Sequence, residues 1–283
     1  SSQYLNGGCA NILQNTDGVV ISLQFSAHLH FQKYLYNAKT VLMFHGDVKD
    51  MISGDLYGPH IGWLNNRDLF NYDKFLLLTQ SNQDLITPHL DEKVQNKLGY
   101  IHNSIDAVYK PLPQTDKHAF AVISRLDSDK NIFALIELGK LIQKKDKSFI
   151  INVYGDGEHK EQLQQEIKDN NLENTIRLKG FLSDKELIFS QNSALLMLSK
   201  SEGFPLVILE AYAYSRPVIA FDSFTAAKEI IKHQETGYLA EYGNYEEILS
   251  YMELIQHIQT DRIESIFHEY ENKTIFKQWN ELF

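Results

Sequence analysis

Ser201-Glu202-Gly203-Phe204-Pro205-Leu206-Val207-Ile208-Leu209-Glu210-Ala211 runs between two short apolar stretches, residues 194–198 and Val218–Phe221, that read as buried strands. A strand, a turn built on Gly and Pro, an apolar helix over 205–214 and a second strand form a βαβ unit, the signature of α/β architecture. Glu210 is the only charged residue between Gly203 and Ser215. An ionised carboxylate is costly to bury unless something pairs with it. With Glu202 eight positions earlier, at the mouth of the Gly-Phe-Pro turn, the pair points to a site that grips hydroxyl groups.

Outward from this stretch, β-branched and Leu-rich runs alternate with helical patterns. After it comes a short strand at 238–239, with helices at 226–232 and 245–257. Before it lie strands at Ala119–Ile123, 149–154 and 175–179, with helices at 132–144, 160–170 and 184–190. This series makes a doubly wound domain over 118–265, with its crevice expected at the carboxyl ends of the strands. Residues 111–117, with Pro111 and Pro113 among polar neighbours, read as a linker. Ahead of it, strands at 18–22, 40–44, 75–78 and 100–102 and helices near 27–36 and 82–96 form a second α/β domain over 1–110. That series is short for a doubly wound domain, whose βαβ units take about 30 residues each, and the chain opens Ser1-Ser2. The N-terminal domain is therefore expected to be partial. Residues 266–283 form a terminal amphipathic helix carrying Trp279, expected to pack back toward the first domain.

Composition excludes several classes. A formal net charge of −10 over 283 residues argues against nucleic-acid binding, which normally shows a basic face. One cysteine, Cys9, cannot form an internal disulfide and fits a reducing, cytoplasmic compartment. No apolar run reaches membrane-spanning length. No His, Cys and Asp cluster has metal-ligand spacing.

Arg125–Asn131 (Arg-Leu-Asp-Ser-Asp-Lys-Asn), Tyr154-Gly155-Asp156-Gly157, Lys179-Gly180-Phe181, the 201–210 stretch and Arg216-Pro217-Val218-Ile219 follow one another in order. In this order and spacing the chain resembles the C-terminal half of a retaining GT-B glycosyltransferase of family 4 (glycosyl transferases group 1), in which seven residues separate two carboxylates. The resemblance implies two Rossmann-like doubly wound domains facing a cleft, the first incomplete here. It implies a nucleotide-diphosphate-sugar donor of the UDP kind and neither cofactor nor metal. Glu202 would contact the donor sugar, Glu210 the ribose, and Arg125 and Lys130 the diphosphate. His45, at the end of the 40–44 strand, would belong to the acceptor side near the reacting sugar, with Asp47 a lesser candidate. Gly155 would let backbone approach the nucleotide, Phe181 would line the base pocket, and Ser223-Phe224-Thr225 could also face the donor.

Residue chemistry agrees with parts of this and leaves others open. Pro205 suits the first turn of a helix, where its missing N–H costs nothing. The N–H groups of Gly203, Phe204 and Leu206 would then face the crevice, a ready diphosphate site. Taken alone, Glu202 as a capping acid and Glu210 on a solvated stripe explain the two carboxylates as well. Arg125 and Lys130 could equally be a solvated Arg and a first-turn Lys, His45 and Asn103-Ser104-Ile105-Asp106 structural, and Ser183 an N-cap.

The function expected is transfer of a sugar to an acceptor hydroxyl with retention, in bacterial cell-surface polysaccharide, teichoic acid or glycoprotein synthesis. The acceptor would be a glycan, a polyol phosphate, or a lipid-linked or protein chain. A membrane-borne acceptor would bring the protein to the inner membrane face, although no basic amphipathic patch is visible. Two rivals stand beside it. One is a catalytically silent nucleotide-sugar-binding partner of an active transferase, since Gly7-Gly8 is the only candidate for the glycine-rich loop that completes a donor site. The other is a GT-B epimerase.

Overall fold

The computed structural model describes residues 19–22, 39–53, 72–113 and 118–282. Gly7-Gly8, the helix expected near 27–36 and most of the expected linker, 114–117, lie outside them. The chain divides into two compact units, Ser1–His102 and Asn103–Phe283.

The first unit holds β1 (Val19–Ser22), β2 (Lys39–Met43), α1 (Val48–Ser53), β3 (Lys74–Leu77), α2 (Gln80–Ile86), α3 (Glu92–Gln95) and β4 (Leu98–Tyr100). Its strands pair in the order β1-β2-β3-β4, all parallel. Leu42, Val48, Phe75, Leu77, Ile86 and Val94 fill its core. The single helix expected over 82–96 is broken. The Thr79 side chain caps α2 by accepting from Asn82 N at 3.1 Å. Pro88 then limits the chain to one 3₁₀ turn, Thr87–His89, because proline lacks an N–H and clashes with the preceding turn. The unforeseen α1 follows directly on Asp47, whose Oδ1 accepts from Lys49 N at 3.0 Å. That bond gives Asp47 a capping role.

In the second unit come β5 (Ala119–Ile123), α4 (Ala134–Lys144), β6 (Ile150–Tyr154), α5 (Lys160–Asp169), β7 (Ile176–Gly180), α6 (Lys185–Ser190) and β8 (Ala194–Met197). There follow α7 (Leu206–Ala213), β9 (Val218–Phe221), α8 (Ala227–Ile230), β10 (Gly237–Ala240), α9 (Tyr245–Leu254), α10 (Thr260–Glu269) and α11 (Asn272–Glu281). Six parallel strands lie in the order β10-β9-β8-β5-β6-β7. The winding reverses between β5 and β8, and a crevice opens at the carboxyl ends of strands at such a switch point. β8 and β9 are buried along their whole length, as expected of strands covered on both faces.

The boundary between units falls ahead of the expected linker, because residues 103–113 bond to the second unit. Ile105 N donates to Tyr270 O at 2.9 Å, Lys110 N to Ala213 O at 2.7 Å and Leu112 N to Tyr214 O at 3.3 Å. Arg216 reinforces them. Its buried guanidinium donates to Leu112 O and Pro113 O on one side, and to Phe189 O and Asn192 O on the other. The single terminal helix expected over 266–283 is two helices, α10 and α11, parted where Glu271 takes an extended backbone (φ −62°, ψ 150°). Trp279 is half-buried on α11. Among the described residues no helix is long and apolar enough to cross a membrane.

Candidate active site

At the switch point, the ends of β5 and β8 and the start of α7 enclose a cavity of about 330 Å³. β5 runs out through Ser124 into a loop that closes with the 3₁₀ turn Ser128–Lys130. Asn131 follows in the left-handed conformation (φ 52°), which asparagine tolerates better than most residues. Its Nδ2 donates to Leu198 O at 2.9 Å, tying the loop to the end of β8. Lys130 is thereby aimed across the switch point. Its Nζ lies 3.0 Å from each carboxylate oxygen of Glu202. The two side chains are only 18% and 15% exposed, so the attraction is screened far less than at an open surface.

Glu202 opens the turn into α7. Pro205 is the N-cap of that helix (φ −76°, ψ 101°) and Leu206 its first residue, so proline stands one place earlier than expected. The first-turn N–H groups of a helix have no partner within it. Phe204 is buried and its ring packs on Tyr270 at 5.6 Å. That contact anchors the turn to the end of α10. Leu206 and Val207 carry the cavity wall along the first turn of α7.

Glu210 is not buried, contrary to the expectation. Ile208, Leu209, Ala211 and Tyr212 are. Glu210 sits four residues beyond Leu206, on the one strip of α7 that reaches solvent, because positions i and i+4 share a helix face. It is 30% exposed, and its Oε2 lies 2.8 Å from Lys185 Nζ at the start of α6. Sequence reasoning missed Lys185. The pair spans 25 residues and two elements, and no local pattern announces it.

Arg125 is not brought to the cavity. It is 67% exposed and paired with Asp127 and, at 3.1 Å, with Asp129. Acids two and four places along its own loop capture it before the crevice can.

The Tyr154-Gly155-Asp156-Gly157 turn braces the β5 loop. Ser124 N donates to Tyr154 O and Leu126 N to Asp156 O, while Gly155 N bonds to Gly180 O. A Cβ on Gly155 would stand 1.8 Å from Ser124 O, so only glycine lets the two strands end this close. Gly155 therefore seats Ser124, which lines the cavity.

Phe181 lies outside the cavity lining, on the loop after β7, and is 76% exposed. The N-cap of α6 is Asp184, which accepts from Leu187 N at 2.9 Å, rather than Ser183. Ser223 Oγ donates to Ser199 O at 2.7 Å, joining the loops after β9 and β8. In the first unit His45 follows β2 and is exposed. Desolvation by its surroundings still lowers its pKa from the ordinary imidazole value.

A mostly buried cation–carboxylate pair and a helix start, set at the switch point of a doubly wound sheet, define a site suited to a nucleotide bearing phosphates. The family model for glycosyl transferases group 1 matches residues 106–272, and the chain belongs to that family of transferases. A curated relative, the poly(ribitol-phosphate) alpha-N-acetylglucosaminyltransferase of Staphylococcus aureus (strain COL), is 30% identical over 170 residues. That match takes in 57% of this chain and 34% of the relative, so the chain spans about a third of that protein's length. The crystal structure of TarM superposes with a TM-score of 0.83 at 22% identity, over 97% of this chain and 57% of that one. The pneumococcal O-GlcNAc transferase GtfA, solved with UDP and GlcNAc, gives 0.78 at 20% identity, over 96% of this chain and 58% of that one. These likenesses establish the GT-B fold.

Proposed function

We propose that the chain carries the donor site of a retaining glycosyltransferase that works without a metal. It would move a sugar from a UDP-sugar to an acceptor hydroxyl in cell-surface polysaccharide, teichoic acid or glycoprotein synthesis. The observation that carries the reading is the Lys130–Glu202 pair at the switch-point cavity. The bond to the sugar breaks by departure of a nucleoside diphosphate, and a fixed cation in a water-poor site stabilises the charge that develops. Lys130 and the first turn of α7 supply that charge, which is the reason to assign no metal to the step. An ionised carboxylate only accepts hydrogen bonds, so Glu202 suits the donor sugar's hydroxyls and Glu210 those of the ribose. In the unliganded protein Glu202 neutralises Lys130, and the donor diphosphate takes over that partnership. Arg125 joins it by leaving Asp127 and Asp129. His45 acts on the acceptor side, and a polyol-phosphate, glycan, lipid-linked or protein acceptor fits the reading. The relative's name supports a polyol phosphate, and GtfA's bound UDP and GlcNAc support the donor. A cytoplasmic protein working at the inner membrane face is part of the same proposal.

Calorimetry with UDP and a turnover assay with UDP-sugars, both on the full chain, test this. Glu202→Ala should leave UDP binding unchanged or tighter, because it removes the competitor for Lys130. It should cut turnover by about 100-fold or more, the scale seen when a preorganised electrostatic contact is lost. Turnover unaffected by the substitution would sink the assignment, and wild-type binding without turnover would favour the silent-partner reading.

A further inference from the structure

We infer that Lys185 is a positioning residue for the donor site, holding the Glu210 carboxylate in the orientation that meets the nucleotide ribose. The inference rests on the reading of Glu210 as the ribose-binding carboxylate and adds a residue to it. Lys185 is the first residue of α6, where a cation is disfavoured by the helix dipole. Local structure does not call for it there, since Asp184 already caps the helix. What Lys185 does contact is Glu210, at 2.8 Å across the two elements. The acid next to it, Glu186, is occupied by Lys110 at 2.7 Å, so the two pairs are sorted and Lys185 is left to Glu210.

The geometry suits a holder rather than a competitor. Lys185 engages Oε2, and among the described residues nothing else is hydrogen-bonded or ion-paired to the carboxylate. Oε1 remains to accept from a hydroxyl. A glutamate on an open helix strip would otherwise sample several rotamers and lose that freedom on binding. Lys185 removes part of this cost in advance, the ordinary gain from preorganisation. Lys130, by contrast, engages both oxygens of Glu202, an arrangement the donor must open.

The test compares UDP with 2′,3′-dideoxy-UDP, which lacks the ribose hydroxyls, by calorimetry on the full chain. Wild type should prefer UDP by about 10- to 100-fold, the value of hydrogen bonds to a charged group, and Glu210→Ala should abolish the preference. In Lys185→Met the preference should fall about three- to fivefold, the scale of a partly exposed ion pair, with dideoxy-UDP affinity unchanged. Lys185→Arg should restore it. A Lys185→Met preference equal to wild type overturns the inference, and so does an equal loss for both ligands, which marks a merely structural residue. A preference that survives Glu210→Ala, or is missing from wild type, overturns the ribose reading itself and the inference with it.

Discussion

Replacing Lys130 by Met keeps the side-chain stem and removes the charge, leaving Glu202 facing the cavity without its cation. At 3.0 Å and an effective dielectric of about 20, the gross attraction is about 5 kcal/mol. Desolvation of both groups cancels much of it. Exposed pairs net about 0–1 kcal/mol, and removing one partner of a fully buried pair costs about 3–5 kcal/mol. With side chains 18% and 15% exposed, a coupling of about 1–2 kcal/mol follows from these bounds. Lys130→Met alone should destabilise the second unit by about 2 kcal/mol and lower its Tm by about 4–8 °C, using the scaling for domains of about 150–250 residues. In a double-mutant cycle, adding Glu202→Gln should recover most of that loss. The coupling should survive 0.5 M NaCl, unlike that of a surface pair. Calorimetry should show UDP binding weakened about 10- to 100-fold by Lys130→Met, as for a lost hydrogen bond to a charged group. A coupling below about 0.3 kcal/mol, the usual additivity error, together with unchanged UDP affinity would refute both the energetic argument and the assignment of Lys130.

Arg216→Met should destabilise the second unit by about 2–6 kcal/mol in urea unfolding, because Phe189 O and Asn192 O lose their buried donor at about 1–3 kcal/mol each. Arg216→Lys should recover little, since one ammonium cannot span four carbonyls, and stability within about 0.5 kcal/mol of wild type, the range of a neutral surface substitution, would refute the role. The lowered pKa of His45 means the unfolded chain binds more protons, so the His45 contribution should be intact above the unfolded value of about 6.5 and lost as pH falls from there through the lower folded value. His45→Gln should therefore flatten the decline in Tm of the first unit between pH 7 and 5.5, and an unaltered slope would contradict the shift.

Much of the fold was legible because the signals were local. Strand runs such as Ala119–Ile123 and Val218–Phe221 are β-branched or apolar and bounded by turn residues, and the structure places strands on those residues. The helix over 82–96 failed because the apolar spacing continues past Pro88, and spacing cannot weigh the missing N–H. The start of the second unit was misplaced because the prolines at 111 and 113 look like a linker. Their neighbours are in fact fastened by Arg216, more than a hundred residues away in the chain. In the sequence Asn131 is only the end of a motif. Its left-handed backbone and its bond to Leu198 exist only when β5 and β8 lie side by side.

The 201–211 stretch shows where the division falls. From residues alone follow the α/β class, the turn into an apolar helix and the spacing of the two carboxylates proposed to bind hydroxyl groups, since each depends on neighbours a few positions apart. The partners of those carboxylates are a matter of tertiary structure. Lys130 meets Glu202 because the winding reverses between β5 and β8, and Lys185 meets Glu210 because α6 ends its loop beside the open strip of α7. Arg125, which stands in the same motif as Lys130, is drawn off by Asp127 and Asp129. Pairing depends on distance in space, and only the fold sets that distance.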